Sequence, residues 1–360
     1  MSKYAESEKQ KCFERIRNLC ASLPSFCVSY INTISTRKET SFRTGMQYAY
    51  EISTFIDYVA VRNGVSPALV TARMLSSLLP LDIDEYISHL ASYETPEDRA
   101  YNKERADMVN ERGRHVSVPE KHHHKSVSAR ARSLSAVRGL YQYLMKNQLV
   151  SQDPAKLAQA PVRMDKPVIA LDPEEVHIMM ENVENNELPG KSAAFSKASV
   201  LRDTALITLL LYTGIRASEC AGLDIEDINW VNNSARVLRK GGNYELVYFN
   251  DMVASNIRVY IDNERVPSND EPDALFVSRF GTRLSPQSIN NVIKKYGSTA
   301  TYKHITTHKM RSSYATQLYK QTGDAMMVKD ALGHTTLGVV QKYIAAADEN
   351  RQEAAKTIDY

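Results

Sequence analysis

Between Asp153-Pro154 and Pro167 the chain loses its periodicity, and this break divides 360 residues into two stretches of different character. Pro154, Pro161 and Pro167 stand among the basic residues Lys156, Arg163 and Lys166, with no helical or alternating apolar pattern between them. Proline and polar content without periodicity is how an inter-domain linker reads. Length agrees, because 360 residues exceed one ordinary domain. The expected partition is a helical domain over 1–158 with an insertion near 95–125, a linker over 159–171, and a second domain over 172–360 that ends in a tail, 344–360.

Before the break the pattern is helical. Apolar residues recur at helical spacing through Tyr48, Ile52, Phe55, Ile56 and Val59 and stop before Asn63-Gly64. Ser66-Pro67 offers a second helix start, with proline where its missing N–H costs nothing. Asp82 or Asp84 announces a third, ahead of Tyr86, Ile87 and Leu90. Leu134, Val137, Leu140, Tyr141 and Leu144 mark another, and the polar stretch before it reads as a partly helical insertion.

After the break the types mix. Asp172-Pro173-Glu174-Glu175 is a cap, a first-turn proline and two first-turn acids. Leu201 to Tyr212 is an apolar helix that Gly214 is placed to terminate in a left-handed conformation, with a short helix following near Ser218 to Leu223. Alternating runs at Ile225–Trp230, Ala235–Leu238 and Glu245–Phe249 are separated by Asn232-Asn233 and Gly241-Gly242-Asn243, the turn chemistry of hairpins. Helices resume at Asp251, Pro286, His308, Asp324 and Gly338. The fold class is therefore mainly α with a small antiparallel β-sheet (α+β).

Composition narrows the function classes. Forty-five basic against 42 acidic residues give a net charge of +3, so a nucleic-acid face requires local charge. No apolar run approaches the roughly 20 residues of a membrane span. The start, Met1-Ser2-Lys3-Tyr4-Ala5-Glu6, lacks an apolar signal core, and the expected compartment is the cytoplasm. Cys12, Cys20, Cys27 and Cys220 form no C-x-x-C pair and read as small buried hydrophobes. The run His122-His123-His124 reads as a solvated loop rather than a metal site.

Four places put a phosphate-seeking or proton-moving side chain at the edge of an element. Arg216 follows a helix stop and heads the next short helix, where its planar fork can meet an anion. Lys240 sits at a hairpin tip, within reach of a groove. His308 and Arg311 are three apart on one helix face, a pairing suited to a phosphodiester. His334 lies in the turn after Leu332-Gly333, and Tyr343 follows nine positions later. Singly, each has an ordinary alternative: a surface arginine, a loop-solubilising lysine, a helix-surface pair, a packing tyrosine.

Taken in order, an arginine, a hairpin lysine, His-x-x-Arg, Gly-His twenty-three residues on and Tyr nine further resemble the signature of the tyrosine recombinases, which include Xer recombinases and phage or conjugative-element integrases. The resemblance reaches the first half, where Leu134 to Leu144 and Asp153-Pro154-Ala155 are similar to the last helices of a core-binding domain. It spans roughly 30–350 and is poor near 95–125. It implies a helical, SAM-like core-binding domain joined to a tyrosine-recombinase catalytic domain, with Tyr343 as nucleophile giving a 3′-phosphotyrosine. Arg216 and Arg311 would hold the phosphate oxygens, Lys240 would protonate the leaving 5′-oxygen, and His308 and His334 would orient the phosphate and move protons. It also implies chemistry without a metal or other cofactor, a double-stranded recombination site, a homotetramer working through a Holliday junction, accessory DNA-bending or directionality proteins, and residence at the nucleoid. The expected DNA contacts are Arg37, Lys38, Arg43, Gln47, Lys125, Arg130, Arg132, Arg163 and Lys166. Two rival readings are a type IB topoisomerase-like enzyme and a catalytically silent DNA-binding accessory protein. The role of the tail is expected to be docking on a neighbouring protomer.

Overall fold

The computed structural model describes residues 3–36, 42–105, 120–162, 167–188, 199–239, 242–333 and 336–347. They belong to two compact units, Met1–Asp165 and Lys166–Tyr360.

In the first unit α1 (Lys3–Cys20), α2 (Ser25–Thr36) and α3 (Phe42–Asn63) come first, and α3 packs against both of the others. Ile52, Phe55, Ile56 and Val59 of α3 are wholly buried, as a stripe repeating every three to four residues requires. The helix stops at Asn63, before Gly64 at φ 65°. Ser66-Pro67 opens only a single 3-10 turn, Pro67–Leu69, because Ser66 makes no capping bond. The helix proper, α4 (Ala72–Ser76), waits for Thr71, whose hydroxyl accepts the Met74 N–H. α5 (Pro80–His89) begins ahead of Asp82, which caps backwards by accepting the Leu79 N–H at 2.7 Å. Within the expected insertion the described part contains α6 (Pro96–Arg105).

The histidine run is exposed, but it is docked rather than loose. His123 exchanges backbone hydrogen bonds with Tyr93 and sets Nε2 2.9 Å from Asp98, while His124 Nδ1 lies 2.7 Å from the Ala91 carbonyl. α7 (Val127–Lys146) buries Leu134, Val137, Leu140, Tyr141 and Leu144 and packs on α3. The first proline of the break is packed as well. It opens α8 (Pro154–Leu157), whose Ala155 carbonyl and the following Ala158 carbonyl accept from Arg138 at 2.9 and 2.7 Å.

The second unit starts with α9 (Pro173–Glu184), capped reciprocally by Asp172 and Glu175. At its centre runs α10 (Val200–Thr213), buried on all sides from Asp203 to Leu211 and flanked by α9, α12 (Asp251–Asn263) and α14 (Thr307–Thr322). Each fully buried Leu or Ile there contributes about 1.5–3 kcal/mol. Between α10 and α12 come α11 (Ala217–Ala221) and the sheet. Strands β1 (Ile228–Asn229), β2 (Ser234–Leu238) and β3 (Tyr244–Tyr248) pair antiparallel in that order, Ala235 facing Ile228 on one side and Val247 on the other. The first strand is shorter than its alternation suggests. Residues 225–227 form a 3-10 turn instead, with the Asp224 N–H tied to the Asp227 carboxylate at 3.0 Å. The chain continues through α13 (Pro286–Ala300), α14, α15 (Ala325–Ala331) and α16 (Gln341–Ala347). Gly338 lies in a 3-10 turn, Leu337–Val339, and the helix expected there begins three residues later.

Candidate active site

The end of α10 sets the position of Arg216. Gly214 takes φ 61°, and a Cβ built on it would lie 2.4 Å from Cδ1 of Tyr314 on α14. Only glycine permits both the left-handed turn and that approach. Two residues later Arg216 heads α11, half-exposed. Its Nη1 lies 2.6 Å from Oε1 of the buried Glu219, and its own N–H donates to Oε2 of the same carboxylate at 2.8 Å. Glu219 thus fixes backbone and side chain of Arg216 together.

Among the described residues Arg311 is the largest fully buried side chain. Nη1 donates to the Gly214 carbonyl at 2.6 Å and Nη2 to the Leu332 carbonyl. One guanidinium therefore joins the turn before Arg216 to the turn that leads into Gly333-His334. Burial, reinforced by the nearby Arg216, brings its pKa down to about 10, and it stays charged at neutral pH. His308, one turn earlier on α14, is exposed. Partial desolvation, then the Arg311 and Arg216 guanidiniums, hold its pKa below the ordinary value. At neutral pH it is an uncharged imidazole, able to accept a proton.

Tyr343 lies on α16, which packs on α14. It is buried among Ala315, Val328, Leu332 and Val340, a cluster separate from the main core, and it contributes to the electrostatics of Arg311. Four of the six residues singled out by spacing, Arg216, His308, Arg311 and Tyr343, are therefore gathered in one neighbourhood. Lys240 and His334 lie outside the described residues.

Three contributors carry no obvious sequence signal. Glu219 occupies the position of a capping acid, three residues after Arg216. Arg239, beside Lys240, is buried: Nη1 is 2.9 Å from Glu219 Oε2, Nε is 2.9 Å from Glu245 Oε2, and Nη2 donates to the Ala331 carbonyl at 3.0 Å. Glu245 would read as an exposed strand residue. Chemically, two guanidiniums, a neutral imidazole and a phenol form a set that can hold a phosphodiester and move a proton beside it.

In the first unit the expected DNA contacts sort by partner. Gln47, Lys125 and Arg132 converge on the buried Glu51, along with Ser133. Burial alone would raise the Glu51 pKa, but the bonds from Lys125 and Ser133 outweigh it and hold the carboxyl below its usual value. Lys125 is consequently an interior counter-ion rather than a surface base, its side chain only 9% exposed. Arg132 keeps its guanidinium half-exposed, and so does Arg43, which pairs with Glu8 at 2.9 Å. Arg130 is half-buried. Arg37, Lys38, Arg163 and Lys166 lie outside the described residues.

Residues 170–350 match the model of the phage integrase family. The chain is similar to tyrosine recombinase XerC of Pelobacter propionicus, 30% identical over 217 residues that cover 60% of this chain and 68% of that one. It is similar to tyrosine recombinase XerD of Staphylococcus epidermidis, 30% identical over 222 residues, 61% of this chain and 72% of that one. Its fold is similar to that of the XerH site-specific recombinase bound to a palindromic difH substrate in a post-cleavage complex. The TM-score is 0.63 at 18% identity, over 96% of this chain and 94% of that one. No helix of the described residues is long and apolar enough to cross a membrane.

Proposed function

The chain belongs to the phage integrase family of tyrosine recombinases, and from that premise we propose that Tyr343 is its nucleophile in a site-specific exchange of DNA strands. The observation that carries this reading is the gathering of Arg216, His308 and Arg311 with Tyr343.

The Tyr343 oxygen attacks the scissile phosphorus. A bond forms between that oxygen and phosphorus, the bond to the 5′-oxygen breaks, and a 3′-phosphotyrosine with a 5′-hydroxyl results. The phenol must lose its proton to become an effective nucleophile. His308, uncharged, or His334 accepts it. Arg216 and Arg311 hold the non-bridging oxygens and stabilise the charge of the pentavalent transition state, an effect commonly of about 3–4 kcal/mol per donor. Lys240 delivers the proton that the departing 5′-oxygen needs. Since the phosphotyrosine conserves the bond energy, the 5′-hydroxyl of a second strand reverses the step. Two such exchanges through a Holliday junction complete a recombination, on a duplex site held by a homotetramer at the nucleoid.

Arg43 and Arg132 present half-exposed guanidiniums suited to phosphate contacts, and Arg37, Lys38, Arg130, Arg163 and Lys166 complete the proposed basic set. Gln47 and Lys125 act one step removed, by holding Glu51. Accessory DNA-bending or directionality proteins would choose between forward and reverse exchange.

The test uses nicked suicide substrates with candidate sites. The unaltered chain is expected to give a protein–DNA adduct that survives denaturing electrophoresis, and Tyr343→Phe to give none. An adduct from both chains would remove Tyr343 from the role. None from either, on DNA that both bind, would leave a DNA-binding protein without catalysis.

A further inference from the structure

We propose that Arg239 is a positioning residue for Lys240, clamping the base of the β2–β3 hairpin so that the lysine at its tip meets the departing oxygen. The inference rests on the role given to Lys240 above and adds a residue to it.

Arg239 is the last residue before the tip, and its backbone closes the ladder: its N–H donates to the Asn243 carbonyl at 2.8 Å, and the Gly242 N–H donates back at 3.1 Å. Its side chain, 5% exposed, then ties the same point to three other segments. Nη1 reaches Glu219 on α11, the carboxylate that also holds Arg216. Nε reaches Glu245 on the returning strand, and Nη2 reaches the Ala331 carbonyl at the end of α15. Gly333 packs directly on this guanidinium, and a Cβ there would lie 2.9 Å from Nε. A buried arginine with all three nitrogens engaged, two of them on carboxylates, is not arranged to bind a phosphate. It is arranged to hold geometry, since its rigid fork requires three partners at fixed angles. A free hairpin tip samples many positions, and a proton donor must be within hydrogen-bond reach when the bond breaks.

A lysine at 239 would keep the charge and lose the fork. The test measures adduct formation by Arg239→Lys on two suicide substrates. One has the ordinary 5′-oxygen at the scissile linkage, and the other has sulfur in its place. Sulfur leaves as a thiolate and needs no proton, so it bypasses whatever delivers one. Arg239→Lys is expected to be about 100-fold slow on the oxygen substrate, the scale of a misplaced catalytic group, and near the unaltered rate on the sulfur substrate, with duplex affinity unchanged. Equal slowing on both substrates, or no slowing on either, would overturn the positioning role. Lys240→Ala runs alongside. If sulfur rescues neither variant, the acid role of Lys240 fails, and the inference with it. If sulfur rescues Lys240→Ala alone, only the positioning role fails. Should Arg239→Lys not fold, Glu245→Gln removes the half-exposed partner of Nε and is expected to show the same selective slowing.

Discussion

At the scale of single residues, the site depends on a turn that only glycine can make and on a histidine whose protonation its neighbours oppose. Gly214 combines a left-handed backbone with a close approach to the Tyr314 ring. Gly214→Ala therefore adds backbone strain and overpacking, each of about 1–3 kcal/mol. The melting temperature is expected to fall and adduct formation to slow, because Arg216 hangs on that turn; an unchanged melt would show that the turn relaxes at no cost. His308 illustrates a charge effect. Desolvation and two guanidiniums depress its pKa, so the native protein binds its proton less tightly than the unfolded chain does. As pH falls below the unfolded value of about 6.5, the unfolded chain takes up the proton first and stability drops, levelling off once the pH is below the native value. NMR titration is expected to place the His308 midpoint under 6.5, and Arg216→Gln to raise it. A midpoint unmoved by that substitution would separate the two side chains electrostatically.

At the scale of elements, α10 and α16 of the second unit are buried in clusters of very different size. α10 is buried on every side and shares the main core with α9, α12 and the sheet. Tyr343 belongs instead to a small satellite cluster made by α14, α15 and α16. Opening a satellite exposes far less apolar surface than opening the core. Amide exchange is therefore expected to be orders of magnitude faster over 325–345 than over 203–211. Equal protection would mean that nucleophile and core open as one cooperative unit. The hairpin follows a different logic: β2 is buried where Ala235 and Val237 meet the core, while β3 exposes Tyr244, Leu246 and Tyr248. Its placement thus rests on pairing with β2 and on side-chain anchors such as Arg239 and Glu245, which is why a single buried guanidinium can govern the tip.

At the scale of the molecule, each unit has its own core. The first is built around α3 and α7, the second around α10. A fragment 166–360 is expected to keep its helical circular dichroism and to bind a recombination site with a shallower salt dependence than the full chain. Every phosphate that the first unit no longer neutralises lowers the slope of log affinity against log salt by about 0.9. An equal slope would remove Arg43, Arg132 and their neighbours from the interface.

Much of this was legible in the amino-acid order. Helical spacing marked α3, α7 and α10, because a one-sided or all-round apolar pattern has few ways to be buried. Asp172 and Gly214 marked element ends, because cap chemistry is local. Catalytic candidates emerged from the order and spacing of Arg216, His308, Arg311 and Tyr343, each tied to an element boundary. Local pattern failed where a few residues choose among turns of similar cost, as at Ser66-Pro67, Ile225 and Gly338. It also could not separate Lys125, paired with a buried carboxylate 74 residues earlier, from the half-exposed Arg132 on the same stretch. Nor could it find Glu219, Arg239 and Glu245, whose meaning lies in partners brought together across α11, the hairpin and the end of α15. Periodicity and capping act over one or two turns of chain, whereas an ion pair is made by whatever the folded core sets side by side.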